Sequence, residues 1–210
     1  MKRILIVVDV QNDFCPGGVL SVEKSDLIIP HINKMIERGR FDSVIATQDW
    51  HPEEHISFAV NHDKQPFETI LTHYGEQMLL PVHCVAGTSG AEFYPALETK
   101  GIHYIIRKGI RSEIDCNSGF FENDKKTPTG LHGLITDLTG KTEFELVVAG
   151  ITAEAGVFNT AKDARKLLQY AQVFVATDAC VSLTPQGEKQ FFGRLRQSGI
   201  ESVSYEKFLK

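Results

Sequence analysis

Apolar positions along this chain fall into short, sharply bounded runs. Residues 4–8, 44–46, 104–106, 146–149 and 173–176 are dominated by Ile, Val, Leu and Ala. Such continuous runs predict strands buried on both faces. Several stop at a polar or charged residue: Asp9, Asp49 just beyond its run, Lys108 and Asp178. Helical periodicity fills the gaps. Residues 27–38 place apolar side chains at 28, 32, 35 and 36, with Pro30 tolerable in a first turn. Residues 130–139 form a weaker helix. Residues 156–170 carry Val157, Ala161, Ala164, Leu167 and Leu168, and residues 186–198 carry Phe191, Phe192 and Leu195. Gly39 and Gly199 stand where helices are expected to end. Strands alternating with helices predict an α/β fold with a mainly parallel, doubly wound sheet, in one domain spanning 1–210.

Two stretches break this rhythm. Residues 50–100 are long and mixed and hold five of the eight histidines, and residues 109–130 are rich in Gly, Ser, Asn, Asp and Lys. Long loops in a compact domain are usually functional or mobile. Sites in open α/β sheets lie outside the carboxyl ends of the strands. Asp9, Asp49, Lys108 and the turn after Gly150 are therefore expected to gather there.

Composition narrows the partners. Twenty-two basic and 27 acidic residues give a formal net charge of −5, no footprint for nucleic acid or an anionic membrane. The apolar run after Met1-Lys2-Arg3 stops at Asp9, too short for a signal peptide or a membrane span. The four cysteines, at 15, 84, 116 and 180, are widely spaced. Reduced thiols in a cytoplasmic protein are expected, not a disulfide framework.

Four groups of residues carry candidate chemistry. Asp49 and His51 point to one side of an extended segment, and with His83 they make a donor set suited to a divalent Zn, Fe or Mn ion. His51 and His55 would pair if their segment were helical. Solvated loop histidines are the plain alternative. Asp9, at the end of a buried strand, is either a general acid or base tuned by burial or a turn cap. Lys108 either pairs with Asp9 or is a solvated strand end. The turn from Gly150 to Gly156 either offers backbone N–H groups to an oxyanion or merely connects strand to helix.

Together these pieces resemble the nicotinamidase/pyrazinamidase branch of the isochorismatase-like cysteine hydrolases. The matching segments run in order over nearly the whole chain. They are Val8-Asp9-Val10-Gln11-Asn12-Asp13-Phe14-Cys15-Pro16-Gly17-Gly18, Thr47-Gln48-Asp49-Trp50-His51-Pro52 and Pro81-Val82-His83-Cys84-Val85. Then follow Arg107-Lys108-Gly109, Ser118-Gly119-Phe120-Phe121, Gly150-Ile151-Thr152 and Asp178-Ala179-Cys180. The resemblance implies a six-stranded parallel sheet flanked by helices. It implies Asp9 as acid/base, Lys108 as its partner, and Asp49, His51 and His83 as ligands of a divalent metal ion. His55 would be a fourth ligand or lie just outside the first shell. A non-proline cis peptide is implied at Ile151–Thr152, with the N–H groups of Thr152 and Gly156 as oxyanion hole. Phe14, Leu80, Asn117 and Ala155 would line a pocket for a pyridine carboxamide or related small molecule.

The departures from the pattern matter most. Where the family carries its nucleophilic cysteine this chain has Gly156, and Ala155 replaces the aromatic residue or histidine before it. Leu80 stands where relatives often have Trp, and Asn117 where many have Tyr. An isolated Cys→Gly change would not explain all four. Glycine has no atom that can attack a carbonyl. Cys116, in the loop expected to cover the pocket, is the least implausible substitute. The leading expectation is a nicotinamidase-like hydrolase whose amidase activity is very weak or lost. One alternative is an isochorismatase-type hydrolase with Asp9 as general acid on a vinyl ether, or hydrolysis by a metal-activated water. Another is a non-catalytic small-molecule binder, or an interaction protein using the family's oligomeric interfaces as a homo-oligomer.

Overall fold

The structure, a computed structural model, describes residues 1–209. Six parallel strands form one sheet: β1 (Lys2–Val8), β2 (Ser43–Asp49), β5 (Tyr104–Lys108), β6 (Phe144–Ile151), β7 (Ala171–Val181) and β8 (Glu201–Val203). Their spatial order is β5-β2-β1-β6-β7-β8. A two-stranded antiparallel hairpin, β3 (Thr69–Thr72) with β4 (Gly75–Met78), stands apart from it. Strand order reverses between β1 and β6, so a crevice is expected beyond their carboxyl ends.

Alternation along each strand divides the core in two. Ile4, Ile6 and Val8 of β1 face a layer containing Phe158 and Ala161 of α3 (Phe158–Leu167), Leu131 of α2 (Leu131–Thr139), and Phe191 of α4 (Pro185–Gln197). Leu5 and Val7 face the other way, against Ile28, Ile32 and Met35 of α1 (Ser25–Arg38) and Phe208 near the chain end. Both faces of β1 are buried, which is why its sequence reads as an unbroken apolar run.

Several boundaries differ from the pattern-based expectation. The first helix begins at Ser25, so Pro30 lies beyond its first turn and removes one ladder bond. Gly39 ends it in an extended conformation (φ −66°), not a left-handed one, whereas Gly199 after α4 is left-handed (φ +64°). The helix expected from Gly156 is α-helical only from Phe158. Residues Ala153–Val157 form a wider π-type turn in which the N–H groups of Ala155 and Val157 both donate to Thr152 O, at 3.3 and 3.1 Å. Asp178 is not a strand end. It lies inside β7, beside a register shift against β6, and accepts Ser204 Oγ at 2.6 Å and Tyr205 N at 2.8 Å. The hairpin and β8 were not expected, because they are short and mostly polar.

Candidate active site

Sheet register builds the site. Asp49 and Lys108, last residues of β2 and β5, are direct partners across those strands. Val8 pairs with Gly150, so the residues after β1 and β6 emerge side by side. Asp9 leaves β1 in a left-handed conformation (φ +51°) and is buried.

Lys108 is fully enclosed, and its ammonium donates to three oxygens: Asp9 Oδ2 at 2.8 Å, Asp49 Oδ1 at 2.5 Å and the carbonyl of Cys116 at 3.0 Å. That uses every N–H a lysine has. Thr47 Oγ1 donates to the other Asp9 oxygen at 2.5 Å. Burial pushes the Asp9 carboxyl up to about 6, with Lys108 pulling against it and Asp49 adding to it. Burial also opposes ionisation of Asp49, yet the charge of Lys108 and the two nearby histidines hold that carboxyl below its ordinary value. For Lys108 the two carboxylates outweigh burial, so its ammonium stays charged well above the usual range. Two carboxylates thus share one cation, and Asp9 is the member closest to gaining a proton.

Gly156 faces this pair. A Cβ at its position would lie 3.3 Å from Asp9 Oδ2, 3.0 Å from Val8 Cγ1 and 3.1 Å from Ile151 O. Its φ is not left-handed, so the backbone does not demand glycine there. The peptide bond Ile151–Thr152 is cis.

Asp49, His51 and His83 are all buried, with one donor atom of each lying within 4.8 Å of the others. His51 Nδ1 is 2.8 Å from Gly109 O, and His83 Nδ1 is 2.8 Å from Pro81 O. With each Nδ1–H donating to its carbonyl, each Nε2 carries the free lone pair, the arrangement that orients metal-ligating histidines. These three residues fit a divalent ion. His55 differs: its ring lies flat on His51 at 4.0 Å, and its nitrogens meet Ser57 Oγ (2.7 Å) and Ile114 O (3.2 Å). Burial, reinforced by His51, pushes His55 down to about 4, so it is a neutral stacking partner at pH 7. His51 and His55 also group with Asp115, but both Asp115 oxygens are already taken, by Cys116 N and Gln77 Nε2.

The remaining candidates have different surroundings. Phe14 packs 5.7 Å from His83 and is half-buried, and Ala155 is half-buried in the π-type turn. Leu80 lines a hollow of about 390 Å³ with Ala59, Val60, Pro81 and Val82; the residues lining it include neither Asp9 nor Lys108. Asn117 is exposed, its N–H on Asn123 Oδ1. Every thiol is pushed up by burial, Cys15 to about 11 and Cys180 to about 12, with Cys84 and Cys116 higher still. The single S–H of Cys116 is shared between Ser118 O at 3.2 Å and Phe121 O at 3.4 Å, and burial disfavours the thiolate a nucleophile needs.

Sequence reasoning passed over Thr47 and the function of Gln11. Gln11 is buried, donates to Asp49 O (2.8 Å) and Ala91 O (2.9 Å), and accepts from Asp49 N (2.8 Å). Thr47 was findable, because it lies two residues from Asp49 on the same side of β2.

Fold and site define a doubly wound α/β protein with a buried acid–lysine pair and a metal-type donor set at the carboxyl edge of its sheet. Residues 3–207 match the isochorismatase domain. The chain belongs to the isochorismatase family, in its nicotinamidase/pyrazinamidase branch. It is 44% identical to a nicotinamidase of Acinetobacter baylyi, over 98% of this chain and 94% of that one. A solved nicotinamidase/pyrazinamidase of Acinetobacter baumanii superposes with a TM-score of 0.90 at 43% identity, covering 98% and 97% of the two chains. A pyrazinamidase of Pyrococcus horikoshii, solved in complex with zinc, superposes with a TM-score of 0.76 at 32% identity, covering 97% and 99%.

Proposed function

We propose that this chain is a nicotinamidase-type site that retains the means to bind a pyridine carboxamide but has lost the nucleophile. The observation that carries the reading is the Gly156 position. A side chain there would begin 3.3 Å from Asp9 Oδ2, where a carboxylate can take a proton from it. Asp9, Lys108 and the donor set beside them remain assembled around an atom that glycine does not supply.

Asp49, His51 and His83 would hold a divalent ion of the zinc, iron or manganese class. When bound, such an ion supplies an electrophilic anchor for a ring nitrogen or a water. Asp9 holds or releases a proton, Lys108 keeps both carboxylates paired, and the N–H groups of Thr152 and Gly156 are the oxyanion donors. Without an attacking atom no acyl-enzyme forms. Loss of the nucleophile in a triad hydrolase costs about 10⁶ in kcat, so amide hydrolysis by this chain is very weak or absent.

The test is ammonia release from nicotinamide by the natural chain and by Gly156→Cys, with metal content and nicotinamide affinity measured on both. The reading expects binding without turnover in the natural chain and turnover in the variant. Robust turnover by the natural chain overturns the lost-nucleophile reading. Absence of nicotinamide binding in both proteins overturns the pyridine carboxamide reading.

A further inference from the structure

The turn carrying Thr152 and Gly156 is held at two points by one helix. Glu154, inside the turn, sends its carboxylate to the start of α4, where Oε1 accepts the N–H of Leu183 at 2.9 Å. Thr184 caps that helix by accepting Gly187 N at 2.9 Å. Gly187 lies directly beneath the Glu154 carboxylate, and a Cβ there would displace that side chain from its present position. The carboxylate therefore sits against the first turn of a 13-residue helix, with Oε1 on Leu183 N and Oε2 buried without a partner.

The second point is Arg194, about two turns beyond Gly187 along the helix. Its Nη1 donates to the backbone carbonyl of Glu154 at 2.7 Å, and its guanidinium lies 3.7 Å over the ring of Phe158. The carbonyls on either side, of Ala153 and Ala155, both accept Phe158 N. Between them the Glu154 carbonyl is held from outside the turn. Inside the turn, two N–H groups share the single acceptor Thr152 O. A π-type turn closed this way is wide and weakly self-supported.

We propose that Glu154 and Arg194 are positioning residues: together they clamp the Thr152–Gly156 turn onto α4 and hold its N–H groups in register with Asp9. The proposal deepens the reading that this turn receives the amide carbonyl, and rests on it for its functional part. A donor displaced by about 1 Å loses up to a hundredfold in rate, so a clamp remote from the reacting atoms is enough to tune the site.

The experiment uses Glu154→Ala, Arg194→Ala and Glu154→Gln in the full chain. Amide hydrogen exchange is read at Ala155 and Val157, with β1 as internal reference. Both alanine variants are expected to speed exchange in the turn at least about tenfold while β1 keeps its protection, since local opening is separable from global unfolding. Glu154→Gln keeps the acceptor for Leu183 N and is expected to behave like the natural chain. Nicotinamide affinity should change little in the alanine variants, since the ground-state amide gains little from these donors. In a Gly156→Cys background kcat should fall with KM nearly unchanged, because oxyanion donors act in the transition state. Unchanged exchange in the turn, or exchange that rises equally in β1, overturns the clamp. So does faster turn exchange with kcat intact in the Gly156→Cys background. If the natural chain and Gly156→Cys both fail to bind nicotinamide, the reading of the ligand fails, and the exchange data still decide whether the clamp exists.

Discussion

Asp49 and Lys108 are register partners at the ends of adjacent parallel strands, and their side chains meet at 2.5 Å. The same ammonium reaches Asp9 at 2.8 Å, so a single buried cation balances two carboxylates from two strands. Lys108→Met removes it and leaves both carboxylates enclosed. Breaking a buried ionic group from one side costs about 3–5 kcal/mol. Urea denaturation at pH 7 should show a loss of that size, with a smaller loss in the double variant Lys108→Met/Asp9→Asn.

Asp9 gives the protein a characteristic pH response. Its folded pKa, about 6, lies above its ordinary 3.8, so the folded state holds this proton more tightly than the unfolded chain does. Its contribution to stability is complete below about pH 3.8 and disappears as pH rises through about 6. Asp49, held low, behaves oppositely: its contribution is present above its ordinary pKa and is lost as pH falls through the lowered value. In metal-free protein, the stability of the natural chain relative to Asp9→Asn should decline between pH 4 and 7. A flat difference across that interval contradicts the assignment.

Metal affinity should separate the histidines. His51→Ala and His83→Ala each delete a member of the buried donor set and should abolish stoichiometric zinc binding. His55→Ala deletes a ring stacked on His51, so its effect should be that of an outer partner, a loss of about 10–100-fold in affinity. Zinc titration against a competing chelator measures all three. Equal losses at His55 and His83 would place His55 among the ligands.

Restoring a side chain at Gly156 has a cost in packing. The new Cβ meets Val8 Cγ1 at 3.0 Å and Ile151 O at 3.1 Å, so neighbours must give by a few tenths of an ångström. Overpacking of this kind costs about 1–3 kcal/mol. Gly156→Ala and Gly156→Cys should therefore be destabilised alike in thermal melts, and only the cysteine variant should release ammonia from nicotinamide. Turnover by Gly156→Ala would falsify the assignment of the missing atom to this position.

Much of the fold was legible because burial on both faces leaves a direct trace. The runs at 4–8 and 146–149 read as interior strands, and Asp9, Asp49 and Lys108, at or just beyond the ends of their runs, marked the carboxyl edge. The hairpin of β3 and β4 left no such trace, since Thr69–Thr72 and Gly75–Met78 are short and largely exposed. Asp178 misled for a related reason. It stands after an apolar run, but the strand continues past an irregular register and uses the carboxylate to anchor Ser204 and Tyr205. Leu80 and Asn117 could be assigned to a pocket only by resemblance; in the structure Leu80 lines a hollow with Ala59 and Pro81, and Asn117 is exposed.

The sequence by itself determined the parallel α/β architecture, the residue types available at the strand ends, and the absence of a thiol at residue 156. These follow from side-chain volume, polarity and order along the chain, which are local properties. The tertiary structure alone decided that Lys108 serves Asp9 and Asp49 together, that His55 stacks on His51 with both nitrogens engaged, and that Glu154 and Arg194 hold the turn opposite Asp9. Those relationships depend on strand register and on the crossing of distant segments. A shift of one residue in β2 against β5 would undo the first of them while leaving every motif in the sequence intact.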